Sequence, residues 1–171
     1  MRTLFESSVY KAVWVAVALA IVSACAPEAP APVMASAEDI EALIWQQELA
    51  IFEGRGNGTI RTYLDSASDD YLGWPPVLPT PTNLDALKAS ADAAIALRGE
   101  VSDLSRQGFS LSGDTALMYF LNHRTRLGDG MAAEGERDVD EYYENIHVWQ
   151  QQDGAWKLIG GFARRLPGPR E

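Results

Sequence analysis

The stretch "NIHVWQQQDGAWKLIGGF" at residues 145–162 constrains the fold more than any other part of the chain. Asp153-Gly154 is a strong two-residue hairpin signal, because both residue types tolerate the left-handed backbone that such a turn requires. Alternation on either side of the turn reads as two long strands. In the second of them Trp156, Leu158 and Phe162 share one face, with Ile159 and Ala163 on the other. The paired Gly160-Gly161 are placed for a bend or bulge. The same period begins at Glu100. "EVSDLSRQGFSLS" turns at Gly113-Asp114 into "TALMYFLNHRTRL", and Gly128-Asp129-Gly130 with a small-residue loop leads into "RDVDEYYENIHVWQQQ". Four antiparallel strands in a meander are predicted.

Before Glu100 the apolar residues recur at helical spacing. Ser36 with Asp39 three residues on is a capping start. "AEDIEALIWQQELAIFEG" places Ala42, Trp45, Leu49 and Phe52 on one stripe, flanked by Leu43, Ile44 and Ile51, and Gly54 and Gly56 stop the helix. Asn57 or Thr59 caps a short second helix with Ile60, Tyr63 and Leu64 on its apolar face. A brief strand follows at residues 71–74, then prolines that forbid regular structure. Thr82 or Asn83 caps a third helix whose buried stripe is Leu84, Leu87, Ala91, Ala94 and Ile95. Helices followed by a meander make an α+β arrangement, with three N-terminal helices packed on a curved, mostly antiparallel sheet.

The N-terminus reads as an address. Arg2 and Lys11 precede an uninterrupted apolar run at residues 12–24. That run is shorter than the roughly 20 residues of a permanent span and has the length of a signal-peptide core. It ends in Val22-Ser23-Ala24-Cys25, and Cys25 is the one cysteine of the 171 residues. These four residues resemble the bacterial lipobox, in which the cysteine is acylated and becomes the mature N-terminus. The resemblance implies a partner membrane reached through acylated Cys25 and an exported, lipid-anchored protein of the cell envelope, facing the periplasm. Ala26, where Asp favours retention at the inner membrane, favours the outer one. The alternative is an ordinary signal peptide cut after Ala24, leaving a free Cys25. The expected organisation is a signal peptide over 1–24, a Pro/Ala-rich linker over 25–37, a domain over 38–167 and a tail over 168–171. The linker composition favours extended polyproline II structure.

Charge and motif exclude several classes. A formal net charge of -10 with no Lys/Arg run argues against nucleic acid as a partner. Two histidines and one cysteine leave no zinc spacing, so no metal is expected, and neither is any other cofactor. No Gly-x-Ser-x-Gly elbow or calcium loop occurs. Gly54-x-Gly56-x-Gly58 follows a helix and not a strand, so it reads as a helix end and not a phosphate loop.

The "GRGNGTI" helix junction, "SDDYLGWPP", "SGDTALMYF" and above all "HVWQQQDGAWKLIGGF" resemble the SnoaL-like, nuclear transport factor 2-like superfamily over residues 38–166. The resemblance implies a cone-shaped α+β fold and often a homodimer built through the open sheet face. It leaves function open, because members include isomerases, cyclases, hydrolases and binding modules. The superfamily's ketosteroid isomerases carry a general-base Asp just before a Pro. Here that position is Trp74, before Pro75, and an indole abstracts no proton. Their oxyanion hole uses a Tyr on the first helix and an Asp on the third long strand. Trp45 and His147 lie near those places.

The residues left as candidates are mainly on the strands. Glu141, Tyr143, Asn145, His147 and Trp149 share one face at period two. That row is either a polar pocket wall or a solvent- or partner-facing surface, with Ile146 and Val148 turned to the core. His123, Arg124 and Arg126 opposite Asp138, Asp140 and Glu141 read as cross-strand charge pairs. The expected pocket is Trp45, Tyr63, Trp74, Phe120, Tyr143, His147 and Trp149, taking a small apolar or amphipathic ligand or a protein partner. The alternative function is an isomerase, cyclase or hydrolase with His147 as acid/base and Glu141, Tyr143 or Asp65 beside it. An enclosed, polar-lined cavity with His147 in hydrogen-bond reach of a carboxylate favours the enzyme. A cavity filled by Trp45, Trp74, Trp149 and Phe120 favours binding or structure.

Overall fold

The computed structural model describes residues 35–76, 78–126 and 139–169. The signal peptide, Cys25, most of the linker, the turn after residue 126 and Asp138 lie outside the described residues. Among those described, no helix is long and apolar enough to cross a membrane.

The first helix, α1 (Ala37–Gly56), starts at a reciprocal capping box. Ser36 Oγ accepts from the Asp39 backbone N–H at 3.1 Å, and the Asp39 carboxylate accepts from the Ser36 N–H at 3.2 Å. The helix runs through Gly54 and ends at Gly56, where a Cβ would come within 2.4 Å of the Glu100 carbonyl. Glycine there lets the helix end lie against the start of the sheet. The buried face of α1 is Ile44, Glu48, Ile51 and Phe52, while Leu43 and Leu49 are exposed. The expected stripe is therefore rotated about the helix axis, toward a face that carries a carboxylate.

A short α2 (Arg61–Ser66) follows, with Thr59 Oγ1 accepting from the Arg61 N–H. It leads directly into β1 (Ala67–Trp74), longer than expected because Ala67, Ser68 and Tyr71 are all buried. A two-residue β2 (Thr82–Asn83) precedes α3 (Leu84–Ala89), capped by Asn83. The expected single third helix is broken. Ser90 Oγ donates to the Leu87 carbonyl, and the chain continues as a 3₁₀ turn over Ala91–Leu97. Ala94 is buried in it, but Ile95 is exposed.

Four long strands complete the chain: β3 (Val101–Ser112), β4 (Thr115–Arg126), β5 (Val139–Gln152) and β6 (Ala155–Leu166). The sheet order is β2-β1-β6-β5-β4-β3, antiparallel except for the parallel pair β1–β6. Asp153 and Gly154 both adopt positive φ, 50° and 82°, as their turn requires. Met118 and Phe120 of β4, Trp149 of β5 and Trp156 and Leu158 of β6 pack with Ile44, Ile51 and Phe52 as the core.

The register of β6 slips by one residue. Trp149 pairs with Leu158 but Val148 pairs with Gly160, so Ile159 bulges. Beyond the bulge the faces exchange. Gly161 and Ala163 turn inward, opposite His147 and Asn145, and Phe162 lies opposite Ile146 on the outer face, 45% exposed. Phe162 is thus not a core residue with Trp156, because strict alternation carries through a strand only when no residue is inserted.

Candidate functional site

The inward row of β5 is Tyr143, Asn145, His147 and Trp149, all buried, while Ile146 and Val148 are half-buried on the outer face. Helix α1 crosses this row and presents Glu48, which has no exposed surface. His147 Nδ1 lies 2.9 and 2.8 Å from the two Glu48 oxygens, and Trp149 Nε1 donates to Oε1 at 2.8 Å. A carboxylate accepts both bonds, so the His147 proton sits on Nδ1. In the neutral ring Nε2 then carries the lone pair, and it makes no hydrogen bond among the described residues. The ring occupies space that β6 leaves free. A Cβ on Gly161 would stand 2.6 Å from His147 Cδ2 and 3.4 Å from Nε2.

His147 and Gly161 border a cavity of about 360 Å³. Its other walls are mostly apolar: Ile60, Leu87, Ala94, Leu97 and Ala163, with Trp74, Pro75 and Pro76 at the side. Polar groups are few. The Tyr63 and Tyr71 hydroxyls meet at 2.7 Å, and the Tyr63 ring stands edge-on to His147. Burial pushes Tyr63 well above the ordinary phenol range, helped by Tyr71, and burial also raises Tyr71. Both therefore remain protonated donors at neutral pH.

A smaller annex of about 150 Å³ shares Phe52, Arg55, Pro75, Pro76, Asn145 and Ala163 with the main cavity and adds Asn122, Arg124 and Tyr143. Beside it Glu141 accepts from Tyr143 at 2.6 Å and pairs with Arg124 and with Arg165, the latter at 3.0 Å. Burial pushes Glu141 up, but the Tyr143 bond and the two guanidiniums outweigh it, holding the carboxyl below its usual value. Burial and the Glu141 bond raise Tyr143.

The expected site residues thus fall into three groups. Tyr63, Trp74 and His147 line the main cavity and Tyr143 lines the annex. Trp45, Phe120 and Trp149 do not line either. Trp45 packs edge-on against Phe120, whose ring backs His147 at 5.3 Å, and Trp149 is fully buried. Asp65 is on the outside, 70% exposed and 3.8 Å from Arg61. Glu141 is engaged in its ion cluster, away from the His147 contact. Arg124 pairs with Glu141 across the strands and His123 bonds Asp140, but Arg126 reaches the Ala96 carbonyl instead. Trp74, at the isomerase general-base position, is 45% exposed with its Nε1 on the Leu78 carbonyl. Glu48, Arg55 and Tyr71 were not among the expected residues. Glu48 has a sequence signal all the same, a carboxylate between Ile44 and Ile51 at helical spacing. Among the described residues no cluster could hold a metal ion.

The chain superposes on a nuclear transport factor 2-like protein of unknown function from Pseudomonas putida with a TM-score of 0.62, at 16% identity over 76% of this chain and 89% of that one. A candidate dehydratase of the same family from Streptomyces avermitilis gives 0.62 at 17% identity, covering 76% and 99%. The calcium/calmodulin-dependent protein kinase II hub of S. rosetta gives 0.58 at 16% identity, covering 82% and 100%. No family model and no curated protein matches the sequence. The chain shares the fold of these nuclear transport factor 2-like structures.

Proposed function

We propose that the domain binds a small, mostly apolar molecule in the main cavity and moves a proton on it, with His147 Nε2 as the acid–base group. The observation that carries this reading is the His147–Glu48 pair at the wall of an open cavity. Glu48 is a positioning residue: it fixes the tautomer and the ring orientation, and it stabilises the charge that His147 acquires on taking a proton. Of the paired Tyr63 and Tyr71 hydroxyls one donates to the other, and the remaining O–H is a donor for negative charge developing on the ligand. Isomerisation and elimination can both be run by such a base with a hydroxyl donor beside it. The likeness to a candidate dehydratase agrees with it. A generic probe tests it: a nitrobenzisoxazole, whose carbon-bound proton leaves with ring opening, needs only a base in an apolar cavity. His147→Ala should lower the protein-dependent rate by about a hundredfold or more. Undiminished turnover by the folded variant rules His147 out as the base.

Two further features belong to this reading. The Val22-Ser23-Ala24-Cys25 motif, followed by a Pro/Ala-rich linker before the Ser36 cap, supports an envelope protein anchored through acylated Cys25. Incorporation of labelled palmitate, absent in Cys25→Ala, tests that. The outer sheet face carries Tyr119, Ile146 and Phe162 in one cross-strand row, with Leu117 and Val148 beside it. No described helix covers this face, which supports a homodimer formed through it.

A further inference from the structure

The annex beside the main cavity is lined by two guanidiniums, Arg55 and Arg124, of which one is unpaired. Arg124 meets Glu100 and Glu141, and Arg165, 62% exposed and outside the lining, meets Glu141 from the solvent side. Arg124 and Arg165 are paired with those carboxylates, whereas Arg55 has none within ion-pair distance among the described residues. Its guanidinium lies over the Phe52 ring at 5.2 Å, between the two cavities. Burial and the like charge of Arg124 pull it below the ordinary arginine value. Three further polar atoms make no hydrogen bond at the same place, one of them Arg124 Nε, 3.6 Å from Glu100. Asn145, 6% exposed, bounds both cavities and its Nδ2 donates to nothing; Asn122, 3% exposed, bounds the annex and its Oδ1 is equally unpartnered. A buried amide donor left unsatisfied beside a buried cation is costly unless something else completes the site.

We propose that the annex is a carboxylate subsite, in which a carboxylate on the ligand pairs with Arg55 and accepts a hydrogen bond from Asn145 Nδ2. This rests on the reading that the main cavity takes a small molecule, and it narrows that molecule to an amphipathic acid with its apolar body toward His147. One unpaired cation suits a monoanion. A phosphate, with up to two charges, would meet Glu100 and Glu141 with only one guanidinium to spare. Planar guanidinium matches planar carboxylate, and the low-dielectric surroundings strengthen the pair.

Calorimetric titration of the full chain with matched acids and amides tests this: benzoate against benzamide, cyclohexanecarboxylate against its carboxamide, and phenylbutyrate against phenylbutanamide. The acid should bind about tenfold or more tightly than its amide. Arg55→Met should remove that advantage while changing the amide's affinity less than about twofold. Arg55→Lys, which keeps the charge, should retain a preference for the acid, so loss of folding in one variant does not blunt the test. Inorganic phosphate should compete no better than acetate. Amides binding as well as acids, a preference that survives Arg55→Met, or phosphate as the stronger competitor each overturns the subsite and leaves the cavity reading standing. Failure of every acid and every amide to bind overturns both.

Discussion

Glu48 is a carboxylate with no exposed surface, and burying it is affordable only because two donors converge on it. Removing it strands the His147 and Trp149 N–H groups in the core. Glu48→Ala should therefore cost about 3–5 kcal/mol in urea unfolding, whereas Glu48→Gln, which still offers an oxygen, should cost about 1–3 kcal/mol. The tyrosines give a second prediction. Burial raises Tyr63 and Tyr71, so above the ordinary phenol range the unfolded chain ionises while the folded one stays neutral. Stability from this pair is complete below about pH 10 and is lost as pH rises further. Phenolate absorbance should show these two ionising only as the protein unfolds. At this scale the sequence was half legible. His147 stands out because histidine is rare here, but Glu48 is hidden on a stripe chosen to avoid charge, and its partner lies 99 positions away.

The elements that local rules govern are the ones read correctly: the Ser36 cap, the Asp153-Gly154 hairpin and the four long strands. Those that depend on distant contacts are not. The parallel β1–β6 pair leaves no mark in either strand, and the Ile159 bulge is invisible to alternation. Yet the bulge decides the site, because it turns glycine and not phenylalanine toward His147. Gly161→Ala would put a Cβ 2.6 Å from the His147 ring and 2.7 Å from the Ile146 carbonyl. It should cost about 1–3 kcal/mol and lower nitrobenzisoxazole turnover more than stability, since the ring must move. A thermal melt beside the rate assay separates the two effects.

The described residues form a nuclear transport factor 2-like fold with a mostly apolar cavity beside His147 and an apolar sheet face opposite. If that face forms the dimer, light scattering should give twice the chain mass, and Tyr119→Arg, on the outer face and away from the main cavity, should give a monomer with the cavity intact. A monomeric mass for the unaltered chain excludes the dimer. The overall architecture was legible because period and turn chemistry repeat over the whole body. The cavity was not, since it is the space left between elements whose packing no single stretch encodes.

The proposed proton transfer requires a bare Nε2 on His147. With only two histidines, hydrogen–nitrogen correlation spectra of the imidazoles resolve both rings, and His147→Gln assigns them. The prediction is that His147 at neutral pH is protonated on Nδ1, against Glu48, with Nε2 unprotonated toward the cavity. A proton on Nε2, or on both nitrogens, would leave no base facing the ligand and would contradict the proposed chemistry.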